Sequence, residues 1–501
     1  MSFVDHYSTL GLTSEASDSD IKSAYRLAAR RFHPDVNKSP GANIIFGEFN
    51  AAYEILADPT KRQLYDQEYK KIDDLSPGIH MQVFFSRPRI KRLGQQQLLY
   101  VLAKLQPRLE KISDSHAPLN LCIVVDRSKS MQGSRLRHVK QAAHAIIDDL
   151  DDNDVISIVS FSDRAEVVIS PQRMRDRRNM KARVSSLRAD GSTAMYEGLD
   201  LGLSQVERYR STQYVNHLIL ITDGRTYLDE DKCLGLADDA RMRGVGISGM
   251  GIGQDWNDQF LDDLTSRTGG ASAYISTGHT VTKFLHNHVK RLATAYAERS
   301  QLVVAPTKGV ELKEITRIAP DPARLSFEKQ PIALGTIDSA ATTAVVFKFL
   351  IDTTAVEYGD FHLGRLQGSG DVLGRDQRVE RIVEDLTIEI TGDDVTDEPP
   401  PEIIDALSKL RLYQLQENAR EAVDNGDFEE ATRQLNYLAT RLLEEGQEGL
   451  AQAALHEARM VKQTQALSDE GTKALKYGTR ALINLETELF TNLLTEEASD
   501  D

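Results

Sequence analysis

A chain of 501 residues, 40% hydrophobic and 27% charged, has room for two to four domains with sizeable cores. Its net charge of −16 argues against general binding to nucleic acid or anionic membranes, and no apolar run approaches the ~20 residues that span a bilayer. The only cysteines, Cys122 and Cys233, exclude a disulfide scaffold and a four-cysteine zinc site, and the first residues lack a basic start followed by an apolar run, so a soluble protein of the reducing cytoplasm is expected.

In chain order, Ile21, Tyr25 and Ala28 recur at helical spacing and predict a helix from Ser17 to Arg31, capped by Asp18 or Ser19. Lys22, Arg26, Arg30 and Arg31 lie mostly off that stripe and give a basic outer face. Phe32-His33-Pro34-Asp35 ends the helix, because proline disfavours helical geometry in the residue before it. Phe46, Phe49, Ala52, Tyr53 and Leu56 predict a second helix, stopped by Asp58-Pro59, and the two form a helical hairpin. Taken alone, His33 would be an exposed loop histidine and the cations a solvated face. His-Pro-Asp between a basic and an apolar helix, however, resembles the signature of a J-domain. Asp5 to Gly11, Ile21 to Arg26, Ala52 to Pro59 and Lys61 to Asp66 extend the resemblance over nearly all of residues 4–70, with Asn37 to Ile45 less typical. The resemblance implies that His33, Pro34 and Asp35, with Lys22, Arg26 and Arg30 of the basic face, touch a DnaK-type chaperone ATPase and stimulate it, complementary charge steering the encounter. General J-proteins continue into a Gly/Phe-rich linker and a zinc domain. Here the first domain, 1–72, is followed by a short polar linker from Lys71 to His80, which implies a specialised co-chaperone whose remaining chain chooses the substrate.

Residues 80–118 and 299–392 are expected to form a split β-sandwich. Met81 to Phe85 and Leu98 to Ala103 read as strands; Val345, Phe347, Phe349 and Ile351, and later Leu386, Ile388 and Ile390, alternate with period two. Between the halves, residues 119–298 alternate strand with helix, including strands at 155–161 and 245–252 and a final helix from Val281 to Ala297. That pattern gives a mostly parallel sheet covered on both faces.

The apolar run Leu121 to Val125 ends at Asp126, and Ser128 and Ser130 follow at alternate positions. They fall in the loop past the strand's carboxyl end, where open α/β sheets bind ligands. One carboxylate and two hydroxyls direct three hard oxygens at one spot, which suits Mg²⁺. Asp126-x-Ser128-x-Ser130 resembles the opening loop of the metal-ion-dependent adhesion site of von Willebrand factor A (vWA) domains. Gly191-Ser192-Thr193-Ala194 resembles the second loop, and Leu218 to Gly224, ending in Thr222-Asp223-Gly224, the third. The resemblance implies a metal held by Asp126, Ser128, Ser130 and Thr193, with Asp223 acting through water. Mg²⁺ is implied, with Mn²⁺ or Ca²⁺ as alternatives, and the remaining position takes a carboxylate from a protein partner. Lys129 stands where the family usually has glycine; with Arg127 it either favours acidic segments or is simply solvated. Gly249-Met250-Gly251-Ile252-Gly253 lacks the Lys-Ser/Thr of a phosphate loop, and no Gly-x-Ser-x-Gly elbow occurs, so no enzymatic activity is expected.

Pro399-Pro400-Pro401 marks a boundary. Residues 399–494 read as a helical bundle, opened by Ile404, Leu407, Leu410 and Leu415 and continued from a capping box at Asp427 and Glu430. The acidic tail 495–501 is expected to be disordered. The fold class is multidomain α and α/β: an N-terminal helical J-domain, a Rossmann-like vWA domain inserted in a β-sandwich, and a C-terminal helical bundle. The leading functional expectation is a co-chaperone that recruits a DnaK-type ATPase to a protein client carrying an acidic ligand residue, with no nucleic acid or membrane partner. The alternatives are an adaptor subunit of an AAA-type ATPase or chelatase-like complex, and a metal-dependent scaffold.

Overall fold

A computed structural model describes residues 4–70, 78–108, 117–224, 229–275, 278–354, 356–373 and 379–482. Most of the expected linker, the tail 495–501 and the end of the helical bundle lie outside the described residues. Among those described, no helix is long and apolar enough to cross a membrane.

Four helices open the chain: α1 (His6–Thr9), α2 (Asp18–Phe32), α3 (Pro40–Leu56) and α4 (Pro59–Tyr69). Ser17 caps α2, in place of the expected Asp18 or Ser19. A reciprocal capping box decides this: the Ser17 hydroxyl accepts from the Asp20 N–H at 3.2 Å, and the Asp20 carboxylate accepts from the Ser17 N–H at 2.8 Å. Tyr7, Ile21, Phe32, Ile45, Phe49 and Leu56 fill the core between the helices.

Three strands follow, β1 (Ile79–Phe85), β2 (Arg89–Lys91) and β3 (Gln96–Pro107), and then the inserted domain. The insert holds β4 (Leu119–Asp126), α5 (Ser134–Asp149), β5 (Val155–Phe161), β6 (Ala165–Arg173), α6 (Arg177–Ser185), α7 (Met195–Glu207), β7 (Val215–Thr222), α8 (Glu230–Arg243), β8 (Gly246–Ile252), α9 (Asp258–Ser266), β9 (Ser272–Ile275) and α10 (Gly278–Ala293). Its sheet has the order β6-β5-β4-β7-β8-β9, all neighbours parallel except β6 with β5. Strand succession reverses between β4 and β7, so the loops leaving them open a crevice at the sheet's carboxyl edge. Helices α5, α6 and α10 cover one face; α7, α8 and α9 cover the other. The glycines of β8 are filled from above: a Cβ at Gly249 would meet Leu261, and one at Gly251 would meet the Trp256 ring.

The last helix of the insert stops at Ala293, short of the expected Ala297, because Ala295 already starts a strand. That strand pairs on both sides, Ala297 opposite Ile337 and Val372, and the ladder overrides the local helical pattern. The sandwich continues with β10 (Ala295–Pro306), β11 (Val310–Ala319), β12 (Ala323–Arg324), β13 (Ile332–Asp338), β14 (Thr343–Asp352), β15 (Gly359–Val372) and β16 (Val379–Thr391). Its two sheets run β1-β3-β14-β11-β12 and β13-β10-β15-β16-β2. The segments before and after the insert therefore interleave in both sheets, which is why neither closes a core alone.

The tail holds α11 (Pro401–Asp424), α12 (Phe428–Glu444), α13 (Glu448–Thr464) and a helix, α14, over residues 469–482. Ile403, Ala406 and Leu410 of α11 seat on Leu102, Ile318 and Val346 of the sandwich. Ile404, expected on the apolar face, is instead 50% exposed, because contact with the sheet sets the register one residue earlier. Helix α14 returns to the insert: Lys476 meets Asp258 at 2.5 Å and Asp262 at 2.8 Å, Arg480 meets Asp262 at 2.6 Å, and Tyr477 packs against Trp256 and Tyr274.

The helical domain docks on β10. Val303 and Ala305 enter its core, Asn37 Nδ2 donates to Pro306 O at 2.8 Å, and the Arg365 guanidinium lies 4.8 Å from the Phe49 ring centroid. A Cβ at Gly41 would stand 2.0 Å from Val304 O. Gly41→Leu should therefore undock this domain while leaving it folded, since leucine favours α3 over glycine by up to ~0.8 kcal/mol. A larger radius of gyration in solution scattering with unchanged helical circular dichroism would bear this out.

The insert joins the sandwich through Glu298, whose Oε1 accepts from the Asn216 N–H at 3.0 Å. Burial pushes its carboxyl from the ordinary 4.5 up to about 8. Between those values the folded chain binds more protons at this site than the unfolded one, so this group's contribution falls as pH rises through that window. Glu298→Gln should flatten the decline in denaturation midpoints measured across the same range.

Candidate functional site

Two neighbouring strands bring the candidate metal-binding residues together. Val125 of β4 pairs with Ile221 of β7, so Asp126 and Thr222-Asp223 emerge side by side at the carboxyl edge. Asp126, Ser128 and Asp223 are buried, Thr193 is half-buried and Ser130 is exposed. Asp126 Oδ1 accepts from the Ser128 N–H at 2.8 Å and Oδ2 accepts from the Thr222 hydroxyl at 2.7 Å. The Ser128 and Ser130 hydroxyls lie 2.9 Å apart, and Ser130 donates to Asp223 Oδ1 at 2.7 Å.

The second loop closes over this edge. Lys129 N–H donates to Gly191 O at 3.1 Å, Asp190 N–H to Arg127 O at 2.8 Å, and Ala194 N–H to Ser162 O at 2.8 Å. Asp163 steadies the turn by accepting from Ser192 N at 2.8 Å and its hydroxyl at 2.6 Å. The third loop leaves room: a Cβ at Gly224 would sit 3.2 Å from Thr193 Oγ1 and 3.8 Å from Asp126 Oδ2. Glycine thus keeps clear a space on which those oxygens border.

Burial raises the Asp126 carboxyl to about 6, with the Asp223 charge adding to the rise against the Ser128 and Thr222 hydrogen bonds. Two carboxylates and three hydroxyls, all hard oxygens gathered at this edge, fit a small divalent cation, which would offset the carboxylates' repulsion. Arg135 partly does so already, its Nη1 lying 2.5 Å from Asp223 Oδ2.

Sequence reasoning quoted Thr222 and Gly224 in the third loop without giving either a role, and it missed Arg135. A hydroxyl just before a strand-terminal aspartate was the available signal for the role of Thr222; Arg135 carried none, since it lies on helix α5 and its partner Asp223 follows a strand 88 residues away. Arg127 does not face this edge freely, because it pairs with Glu166 at 3.6 Å; Lys129 is exposed.

The second candidate site is at the end of α2. His33 is its C-cap, and its Nδ1 accepts from the Asp35 N–H at 3.1 Å, which leaves the ring proton on Nε2. The same nitrogen is 3.5 Å from Asp35 Oδ2, an ion pair only if the ring is protonated. The ring stands edge-on to Phe46, with side-chain exposures of 41% for His33 and 85% for Asp35. Pro34 is half-buried, while Lys22, Arg26 and Arg30 are exposed. Docking of the helical domain on β10 engages Asn37 and Gly41 and leaves those cations open. Asn37 to Ile45, the segment least typical in sequence, supplies this docking edge.

Family models match at three places: the DnaJ domain over residues 5–66, the von Willebrand factor type A domain over 120–291, and the Sll0103-like, C-terminal alpha-helical domain over 401–485. The uncharacterized protein sll0103 of Synechocystis sp. is 30% identical over 221 residues, 43% of this chain and 52% of that protein. Chaperone protein DnaJ 1 of the same organism is 57% identical over 63 residues, 13% of this chain and 17% of that one. The chain thus spans about half the length of the first relative and about a sixth of the second. Among solved structures, von Willebrand factor type A from Catenulispora acidiphila superposes with a TM-score of 0.65 at 17% identity, covering 81% of this chain and 97% of that one. The ArnB paralog VWA2 from Sulfolobus acidocaldarius gives 0.52 at 16% identity, covering 81% and 98%. At those identities the likeness is one of fold.

Thr222→Val should destabilise the protein by about 1–3 kcal/mol, because Asp126 Oδ2 loses its donor while staying buried. Chemical denaturation in metal-free buffer measures it; an unchanged midpoint would remove Thr222 from the site.

Proposed function

In a chain that joins a DnaJ domain to a von Willebrand factor type A domain, we propose a cytoplasmic co-chaperone that delivers a DnaK-type ATPase to a protein held at the metal edge. The observation that carries this reading is that both faces stay open at once on one docked body. His33, Asp35 and the α2 cations face outward while α3 is fixed to β10, and Ser130 is exposed at the edge of the insert.

Asp126, Ser128, Ser130 and Thr193 would hold Mg²⁺, with Asp223 behind them. The ion supplies a Lewis-acidic position that takes a carboxylate oxygen from the partner. The residues around it position the donors: Thr222 and the Ser128 backbone orient Asp126, Ser130 orients Asp223, and Arg135 balances Asp223. At the other face, Lys22, Arg26 and Arg30 steer an acidic chaperone surface toward His33-Pro34-Asp35.

Two measurements on the full chain test this. His33→Gln should abolish stimulation of a DnaK-type ATPase in single-turnover hydrolysis, whereas Asp126→Ala should leave it intact. Saturating Mg²⁺ should stabilise the wild type by ~2.7 kcal/mol at a hundred times its dissociation constant, and Asp126→Ala should lose that shift. A shift that survives Asp126→Ala refutes the metal edge; stimulation that survives His33→Gln refutes the chaperone face.

A further inference from the structure

We infer that the flank of the insert formed by α5 and α6 docks an acidic stretch of a partner protein, running from the metal edge down the domain; this rests on the edge taking a partner carboxylate. The chain carries a net charge of −16, yet between Arg173 and Arg188 seven cations accompany a single acid, Asp176. Two of them hold α6 in place, Arg177 on Asp152 at 3.0 Å and Lys181 on Asp148 at 2.5 Å. Arg178 and Arg188, with Arg137 of α5 and Lys129 of the first metal loop, are exposed; none forms an ion pair within 4.0 Å among the described residues, although, after the Ser192 hydrogen bonds, Lys129 helps lower the exposed Asp163 carboxylate.

Arg137, Arg188 and Lys129 lie along a continuous path, and Arg178 stands at the start of α6, next to Arg177. Arg137, Lys140 and His144 fall at three- and four-residue steps on the flank of α5 that meets α6. Lys140 Nζ donates to Ser185 O at 2.9 Å and Leu187 O at 2.5 Å, and His144 Nε2 lies 3.1 Å from Lys181 O. From Leu187 the backbone passes Arg188 and reaches the second metal loop, where Asp190 and Gly191 bond Arg127 and Lys129. The strip therefore ends beside Ser130. Burial, and then repulsion from Arg188, hold the Lys140 ammonium below its ordinary value, a repulsion that a bound anion would relieve. Asp190 is an exposed acid at its upper end.

An acidic protein segment fits this strip better than a nucleic acid. No Phe, Tyr or Trp occurs in 127–144 or 173–191, so bases find no large aromatic platform there, and the whole-chain charge repels a phosphate polymer. A run of carboxylates can pair with the cations and place its end on the metal.

The test uses the full chain with Mg²⁺ and a fluorescently labelled peptide made of an unbroken run of Asp and Glu, read by anisotropy. The wild type should bind. The triple variant Arg137→Glu, Arg178→Glu, Arg188→Glu should bind at least ~10-fold more weakly, with a flatter salt dependence and an unchanged Mg²⁺ thermal shift. The milder Arg188→Gln should weaken binding about threefold and guards against misfolding of the triple variant. Wild-type affinity in the triple variant, no binding by the wild type, or an oligonucleotide of equal charge binding as tightly as the peptide would overturn the inference. If Asp126→Ala keeps the peptide while the reversals lose it, the basic flank stands and the metal edge fails. The opposite pattern keeps the edge and removes the flank.

Discussion

Strand β10 is the member on which the other units depend. Successive side chains of a strand point to opposite faces, and here each face belongs to a different domain. Leu302 and Val304 enter the sandwich core, while Val303 and Ala305 complete the core of the N-terminal helices. Four residues earlier, Glu298 reaches the insert at Asn216. A helical domain of this size buries little apolar surface by itself, so part of its packing is supplied by the strand it sits on. The orientation of His33-Pro34-Asp35 relative to the Asp126–Asp223 edge is thus fixed by packing in place of a tether.

The Asp126–Asp223 edge is shaped by the cost of placing two carboxylates at the buried end of a sheet. Each is tolerated because donors are supplied to it: a backbone N–H and a threonine hydroxyl for Asp126, a serine hydroxyl and a guanidinium for Asp223. The same donors fix the direction of the remaining lone pairs. Neighbouring strands on either side of the succession reversal bring residues nearly a hundred positions apart in sequence into one hydrogen-bonded group.

Much of this was legible in the sequence wherever the signal is local. An aspartate at the end of an apolar run, hydroxyls at alternate positions, period-two stretches on both sides of the insert, and His-Pro-Asp after a basic helix each declare themselves within a few residues. Signals that need a distant partner did not. Asn37 and Gly41 look like an irregular loop until β10 is placed against them, 269 residues away for the Asn37 bond. Lys473, Lys476 and Arg480 carry no local sign of burial, yet all three are buried, the latter two on acids of α9. In α11 the adjacent Ile403 and Ile404 fit an apolar stripe equally well, and only the sheet beneath it selects Ile403.

The split sandwich also sets an order of assembly during synthesis. Strand β3 emerges from the ribosome before the insert, but β14, its partner on one side, comes after the insert and four further strands. Until then Leu99, Val101 and Leu105 present one side of an apolar strand with its ladder open, while the insert can complete its own sheet. Native contacts of such long sequence separation form slowly, and an unpaired apolar edge is prone to aggregate. The growing chain therefore passes through a stage in which it exposes the kind of surface that folding assistants bind.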